Sequence, residues 1–399
     1  MLAIILSPLY FAILYWACRR WYKLIKTYDI KNKALRFILM HCIWVVFLLT
    51  LCIAIGFLAP SGTLVKRIFS QIGSYWLGVS LYLILFLALF DLIRWIYSKI
   101  RKDHYNDRIT RTISAILIVI CTAITSLYGI INAKIVHTTY YEVTIHKDGG
   151  NLKELTIGLF GDPQFGYNIG EYHLQQAVDI LNENNVDLVL VAGDVFDNEY
   201  SAIKDPDKLI ELFHQINTKY GMYTVLGNHD VEEKILCGFT FNDDDIKDKL
   251  ASQDMLDFLK KADLKLLYDD YITIEDSVTI YGRADYERPN LGNTTRKSAE
   301  EIAEEVDDSK PIIVLEHEPV EYDELEAAGV DLQLAGHTHD GQMWPAKIAT
   351  DIIWKNPAGI YQSGNFTTIT TSGLGLFGPN MRTGTIAEVC IVHITFEAD

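Results

Sequence analysis

Asp162 and Gln164 stand two residues apart in the string GDPQ, directly after the apolar run LTIGLF. In extended backbone residues i and i+2 point the same way, so an acid and an amide at this spacing can reach one cation. Four more strings of the same character follow in order: Asp194 in AGDVFD, Asn228, His229 and Asp230 in GNHD, His317 in LEHEP, and His337 and His339 in GHTHDGQ. Taken singly each is weak. An Asp after a strand is commonly a helix cap or turn residue, and a lone histidine at a strand end is more often structural than a ligand. The strength is in the series. Carboxylates, amide oxygens and imidazoles are donors for divalent metals, and glycine, which directly precedes the first ligand-type residue in four of the strings, lets the backbone turn tightly against a site.

For these residues to meet, the segments carrying them must share a scaffold. From residue 152 short apolar strands alternate with amphipathic helices. LTIGLF, VDLVLVAG and MYTVLG read as strands, with EYHLQQAVDILNENN and PDKLIELFHQINTKY as the helices between them, the pattern of βαβ units. Later SVTIYG, PIIVLEH, VDLQLAG, FTTITT and EVCIVHITF follow with little helix between them, which predicts a second, mixed sheet. The expected fold class is α/β, with two sheets face to face and helices outside, a four-layer αββα sandwich. Functional residues in such folds collect beyond the carboxyl ends of strands, where all five strings lie.

The series GDPQ, GDVFD, GNHD, EHEP and GHTHDGQ resembles the calcineurin-like metallophosphoesterase superfamily over roughly residues 152–397, and its membrane-associated bacterial branch in the GHTH-x-GQ ending and in SGLGLFGPNMRTGTIAEVCIVHI. The resemblance implies two adjacent divalent metals. Asp162, Gln164, Asp194 and His339 would hold the first; Asp194, Asn228, His317 and His337 would hold the second, with Asp194 bridging. It implies attack by a water made hydroxide-like by both ions, with no Ser or Cys nucleophile. His229 would touch the phosphoryl group or protonate the leaving group, with Asp230 fixing its tautomer. Two residues depart from the family pattern. Gln164 stands where the family has His; an amide oxygen is a harder, weaker donor than imidazole, so the first site is expected to loosen and to favour Mn, with Zn, Fe or Mg as alternatives. Asp340 stands where this branch has Gly and would add negative charge beside His339. Trp344, Pro345 and Phe377 are candidate pocket residues, though residues of this kind are more often simple loop packing.

The first third of the chain is of another kind. Residues 1–149 hold 17 Lys/Arg against 6 Asp/Glu, net +11; residues 150–399 hold 18 against 46, net −28. So acidic a second part is a poor nucleic-acid binder. Four apolar stretches, 1–18, 37–59, 74–93 and 113–133, approach or meet the roughly 17–25 residues of a membrane helix. Positive charge follows the first stretch instead of preceding it, which argues against a signal peptide. Loops 19–36 and 94–112 carry seven and six Lys/Arg, loop 60–73 only two, so the positive loops predict an acidic domain outside the cytoplasm. Asp91 and Arg94 read as a local pair, and His41 alone makes no proton path. Cys18, Cys42, Cys52 and Cys121 read as small hydrophobes, and a Cys237–Cys390 disulfide is not favoured.

The expected organisation is a four-helix transmembrane anchor over 1–134, a linker over 135–151 and the metallophosphoesterase domain over 152–399. The expected function is hydrolysis of a phosphomonoester, phosphodiester or lipid-linked pyrophosphate by metal-activated hydroxide attack, outside the cytoplasm and anchored in the cell membrane by several passes, the substrate being a small phosphorylated molecule or lipid. The alternatives are a phosphodiesterase of soluble nucleotides and a low-turnover metal-binding sensor or scaffold. Oligomeric state is not readable.

Overall fold

The computed structural model describes residues 2–101, 108–236, 239–240 and 249–398. The chain divides into two compact units, one of Met1–Ile131 with Ile235–Phe241 and Gly378–Met381, the other of the remaining residues from Asn132 on. Cys237 lies outside the described residues.

The first unit is helical: α1 (Leu2–Lys26), α2 (Lys33–His41), α3 (Trp44–Leu58), α4 (Leu64–Arg101) and α5 (Arg108–Asn132). Among the described residues three helical spans are long and apolar enough to cross a membrane: Lys33–Leu58, Leu64–Tyr97 and Arg108–Asn132. Large apolar side chains such as Leu48, Leu51, Leu58, Ile124 and Leu127 are exposed along them, as befits helices whose surroundings are apolar. The first apolar stretch forms α1, which is not among the three. That helix has Pro8 inside it and runs through the basic residues 19–26 to Lys26. Asp91 does not pair only locally: it hydrogen-bonds Arg20 of α1, and Arg94 stands 4.0 Å away. His41 is spent locally, its Nδ1 2.8 Å from the Phe37 carbonyl and its ring stacked on Phe37.

The second unit contains, in order, β1 (Val136–Ile145), β2 (Glu154–Phe160), α6 (Glu171–Glu183), β3 (Leu188–Val191), α7 (Pro206–Phe213), β4 (Met222–Thr224), α8 (Gln253–Lys261), β7 (Leu264–Leu266), β8 (Asp270–Ile274), β9 (Val278–Gly282), α9 (Ala299–Glu305), β10 (Ile312–Leu315), α10 (Tyr322–Ala327), β11 (Leu332–Ala335), α11 (Ala346–Ile353), β12 (Gly359–Ser363), β13 (Phe366–Thr370) and β14 (Ala387–Phe396); the two-residue strands β5 (Ile235–Leu236) and β6 (Phe239–Thr240) pair with each other in the first unit. One six-stranded sheet has the order β1-β14-β2-β3-β4-β7 and the other β12-β13-β11-β10-β9-β8. Each is mixed: β2, β3, β4 and β7 run parallel with β14 antiparallel to β2, and β9, β10, β11 and β13 run parallel with antiparallel β8 and β12 at the edges.

Alternation explains the layers. Ile157, Leu159, Leu188 and Leu190 of the first sheet and Ile280, Ile313, Leu315, Leu332 and Leu334 of the second share one buried cluster. Val189 and Val191 face the other way, into a cluster with Leu174, Val178, Leu212 and Phe258 of α6, α7 and α8. Tyr281, Ile312 and Val314 pack against Ile302 and Leu325 of α9 and α10. This is the four-layer αββα sandwich expected.

The expected linker 135–151 is not one. Ten of its residues form β1, paired in parallel with β14 from Val136↔Ala387 to Ile145↔Phe396. VHTTYYEVTI is rich in β-branched and aromatic residues that suit a strand, but as an edge strand it is half-exposed, so it lacks the continuous apolar run of a central strand.

Candidate metal centre

The five strings follow the carboxyl ends of β2, β3, β4, β10 and β11. Five of the nine site residues depart from extended backbone in the same way: φ is 51° at Asp162, 46° at Gln164, 51° at Asp194, 72° at His337 and 49° at His339. Side chains other than glycine avoid this left-handed region, and positions held there cluster at functional sites. Backbone bonds hold the turns: Asp162 N–H donates to the Gly193 carbonyl at 3.0 Å and Gln164 N–H to the Asp194 carbonyl at 2.9 Å. The glycines of the strings make room. A Cβ on Gly227 would stand 2.3 Å from Asp194 Oδ1, and one on Gly336 2.6 Å from Asp162 Oδ2.

The side chains form two adjoining groups. In one, His317 Nδ1 donates to the Ala192 carbonyl at 2.8 Å, which leaves Nε2 as the ring atom turned to the site. Around that nitrogen stand Asn228 Oδ1 at 3.1 Å, His337 Nδ1 at 3.1 Å and Asp194 Oδ2 at 3.3 Å. Four lone-pair atoms so placed suit a cation; without one, a proton must serve. Burial pushes the His317 pKa down, but the charges of Asp194, Asp162 and Asp285 outweigh it and hold the ring well above its ordinary value.

In the other group, both Asp162 oxygens accept the His337 N–H, at 2.9 and 3.1 Å. His339 Nε2 is 3.8 Å from Asp162 Oδ1 and 3.3 Å from Gln164 Nε2, which also lies 3.5 Å from Asp194 Oδ2. Gln164 Oε1 is buried with no hydrogen-bond partner. A buried orphan acceptor is costly, and its amide ends exchange by a flip of the side chain, so an amide oxygen ligating a cation would satisfy it. Burial pushes the Asp162 carboxyl up to about 7, with Asp194 adding to this and His317 opposing it. Asp162, Asp194 and His317 offer ligand atoms all within 4.8 Å of one another, and Asp194 touches both groups. The donors therefore fit divalent cations: oxygen and imidazole atoms converge, and one buried acceptor, Gln164 Oε1, is unspent.

His229 is placed beside these groups. Its backbone N–H donates to Asp194 Oδ1 at 2.7 Å, and its ring packs edge-on against Phe377 with centroids 5.7 Å apart. Burial pushes its pKa below the ordinary value, so the ring is neutral near pH 7. The expected partner Asp230 does not hold it. Its carboxylate folds back to accept the N–H groups of Gly227, at 2.8 Å, and Phe196, at 2.9 Å. Neighbours in a turn present side chains in different directions, and Asp230 closes its own turn. The His229 ring is held instead at Nδ1 by the Asn198 side-chain oxygen, which leaves Nε2 for chemistry. Asn198 is wholly buried with φ 57°. Its place after the string GDVFD hinted at nothing beyond a turn.

Asp340 does not leave a free negative charge beside His339: Lys347 of α11 bonds it. Phe377 does reach the site, its ring centroid 6.2 Å from that of His339. Trp344 is 53% exposed and is held by its backbone, its N–H donating to the Thr383 carbonyl at 2.8 Å. Arg382 emerges as a further site residue. It is fully buried and donates to the carbonyls of Ser372, Gly373, Gly375 and Ile386 at 2.7–3.1 Å, with Nη2 3.4 Å from His339 Nδ1. Burial lowers its pKa to about 10, so it stays charged at neutral pH. It ties the glycine turn after β13 to the His339 loop.

Residues 155–341 match the family model described as calcineurin-like phosphoesterase. The chain is 25% identical over 334 residues to a Danio rerio transmembrane protein with metallophosphoesterase domain, covering 78% of this chain and 70% of that one. A Bos taurus protein of the same description is 26% identical over 287 residues, 68% of this chain and 60% of that one. An uncharacterized metallophosphoesterase of Campylobacter jejuni is 26% identical over 244 residues, 61% and 59%. The chain thus spans less than two thirds of the length of the latter two. A solved dimetal phosphatase from Danio rerio aligns at 14% identity and a TM-score of 0.34 over 55% of this chain and 88% of that one, a likeness too low to bear on the argument.

Proposed function

We propose that this chain, which carries a calcineurin-like phosphoesterase domain at residues 155–341 and is thereby a metal-dependent phosphoesterase, is a two-metal hydrolase working outside the cytoplasm on a membrane-borne phosphate or pyrophosphate. The observation that carries the two-metal reading is Asp194, whose one carboxylate stands 3.3 Å from His317 Nε2 and 3.5 Å from Gln164 Nε2. Asp162, Gln164, Asp194 and His339 would hold one ion, and Asp194, Asn228, His317 and His337 the other. Bound there, divalent ions supply Lewis acidity towards water and phosphoryl oxygens. The chain's own residues do the rest. Ala192 fixes the His317 tautomer through Nδ1, Arg382 braces the His339 loop, and His229, held at Nδ1 by Asn198, handles a proton at Nε2.

The test is metal titration of stripped full-length protein, with hydrolysis of phosphomonoesters, phosphodiesters and lipid pyrophosphates followed in parallel. Two ions per chain and turnover on at least one substrate are expected. One ion at saturating Mn with no hydrolysis would favour a sensor role. In the same titration Gln164→Ala is expected to weaken one ion about 10–100-fold, with activity recovering at high Mn. Gln164→His is expected to tighten that ion and shift preference towards Zn or Fe. A Gln164→Ala protein that binds both ions as tightly as wild type would show that Gln164 is no ligand.

Outward placement follows from the charge of the loops. The connection 59–63 between α3 and α4, followed only by Lys66 and Arg67 at the start of α4, lies on the same side as the chain after α5 if the three apolar spans cross the membrane, whatever α1 does. An impermeant label on intact cells is expected to reach residues in 150–399 and to spare loop 19–36; the reverse pattern would invert the topology.

A further inference from the structure

The helix α11 is turned inside out. On α6 and α8 the apolar side is the buried one, with Leu174, Val178 and Leu181 or Met255, Phe258 and Leu259 packed inward. On α11 no residue is buried. Its isoleucines face out, Ile348 at 52%, Ile352 at 80% and Ile353 at 71% exposed. Its inward contacts are polar or aromatic: Lys347 bonds Asp340, and Trp354, just past the helix end, packs against the His337 ring with centroids 5.3 Å apart. Ile348 and Ile352 are four residues apart and so share a face, and the exposed Trp344 lies four residues before Ile348.

We propose that this outward face of α11 docks into the headgroup and acyl-chain boundary of the bilayer, presenting lipid-borne substrate to the metal centre. A bilayer is the occupant the chain itself dictates. The phosphoesterase unit begins at β1, three residues after the membrane-length helix α5, so at most about 14 Å of extended chain separates them. Any exposed apolar face on this unit thus meets lipid at high effective concentration. An amphipathic helix with isoleucines on one side and Trp nearby is suited to lie in that interface. Apolar contact also suits a unit whose net charge of −28 gains nothing from anionic headgroups. Through Asp340 and His337 the helix touches the strings that carry the metal ligands. The inference rests on the membrane placement proposed above.

The test uses the full chain in phosphatidylcholine vesicles, with p-benzoylphenylalanine in place of Ile352 and, separately, of Ile348, and with Tyr172 on α6 as the exposed reference position. Flotation of the protein with the vesicles reports insertion of the helical unit without reference to α11. Photolysis is expected to give lipid adducts at 352 and 348 at several times the yield at 172. A floating protein with reference-level adducts at both positions, or with cross-links to a second copy, overturns the docking and leaves the proposed function intact; a chain that does not float overturns both. In a kinetic arm, Ile348→Ser with Ile352→Ser is expected to raise KM for a phospholipid-borne phosphate about tenfold, with kcat/KM on a soluble aryl phosphodiester unchanged. Equal effects on the two substrates overturn the proposal.

Discussion

Asp194→Ala is expected to abolish hydrolysis, with kcat/KM falling by about 10³-fold or more, beyond the loss from removing one electrostatic stabiliser. The Asp194 carboxylate lies against both groups of donors, 3.3 Å from His317 Nε2 and 3.5 Å from Gln164 Nε2. One Asp194 oxygen accepts the His229 N–H at 2.7 Å, and the other lies 3.3 Å from His317 Nε2. Its charge is also the most secure in the site. Burial works against ionisation, but His317 and His229 outweigh it and hold the Asp194 carboxyl well below the usual carboxylate range. On the proposed two-metal reading its removal would take a ligand from each ion, so metal content should fall together with activity. Asp194→Asn keeps the size and an acceptor for the His229 N–H but not the charge. It should retain the fold, by circular dichroism and thermal unfolding, and still lose metal. An Asp194→Ala protein that keeps two ions per chain and turns over within tenfold of wild type would exclude the bridging role.

His229→Ala is expected to cut kcat by about 10²–10⁴-fold, the range for a proton-transferring group, with no loss of metal content. Asn198 acts only through this ring, so Asn198→Ala should cost less, about tenfold, and should add nothing to His229→Ala. Groups that work as a unit are non-additive in this way. A double variant slower than His229→Ala by the full Asn198→Ala factor would show that Asn198 has an independent role, and loss of an ion from His229→Ala would make His229 a ligand. Asp230 gives the contrast. Its carboxylate serves two backbone N–H groups, so Asp230→Ala should lower stability by roughly 1–3 kcal/mol, the cost of leaving buried donors unpaired, and should leave the His229 Nδ1 contact in place.

The candidate donors were legible in the chain because each string depends on local facts, and the resemblance to the calcineurin-like family then picked the seven out of the nine residues. An apolar run marks a buried strand, a tight glycine turn ends it, and the ligand-type residue comes next, so Asp162, Gln164, Asp194, Asn228, His317, His337 and His339 could be named without knowing their distances. The membrane-length helices were legible for the same reason, since composition over about 20 residues decides them. Partners across space were not legible. Whether His229 turns to Asp230 or Asn198 depends on which way two adjacent turn residues point. Whether Asp340 leaves a bare charge depends on Lys347, seven residues on, where α11 brings it back. Strand β1 hid in an apparent linker because an edge strand buries only part of its surface. Arg382 stood in the string SGLGLFGPNMRTGTIAEVCIVHI, whose Arg before the last strand is part of the resemblance, but its role is decided only by the packing of β13 and β14, which closes backbone carbonyls around its guanidinium. The helix α11 and its outward isoleucines were not read from the sequence at all, and only the fold decides that the polar side of this helix takes the place against the protein.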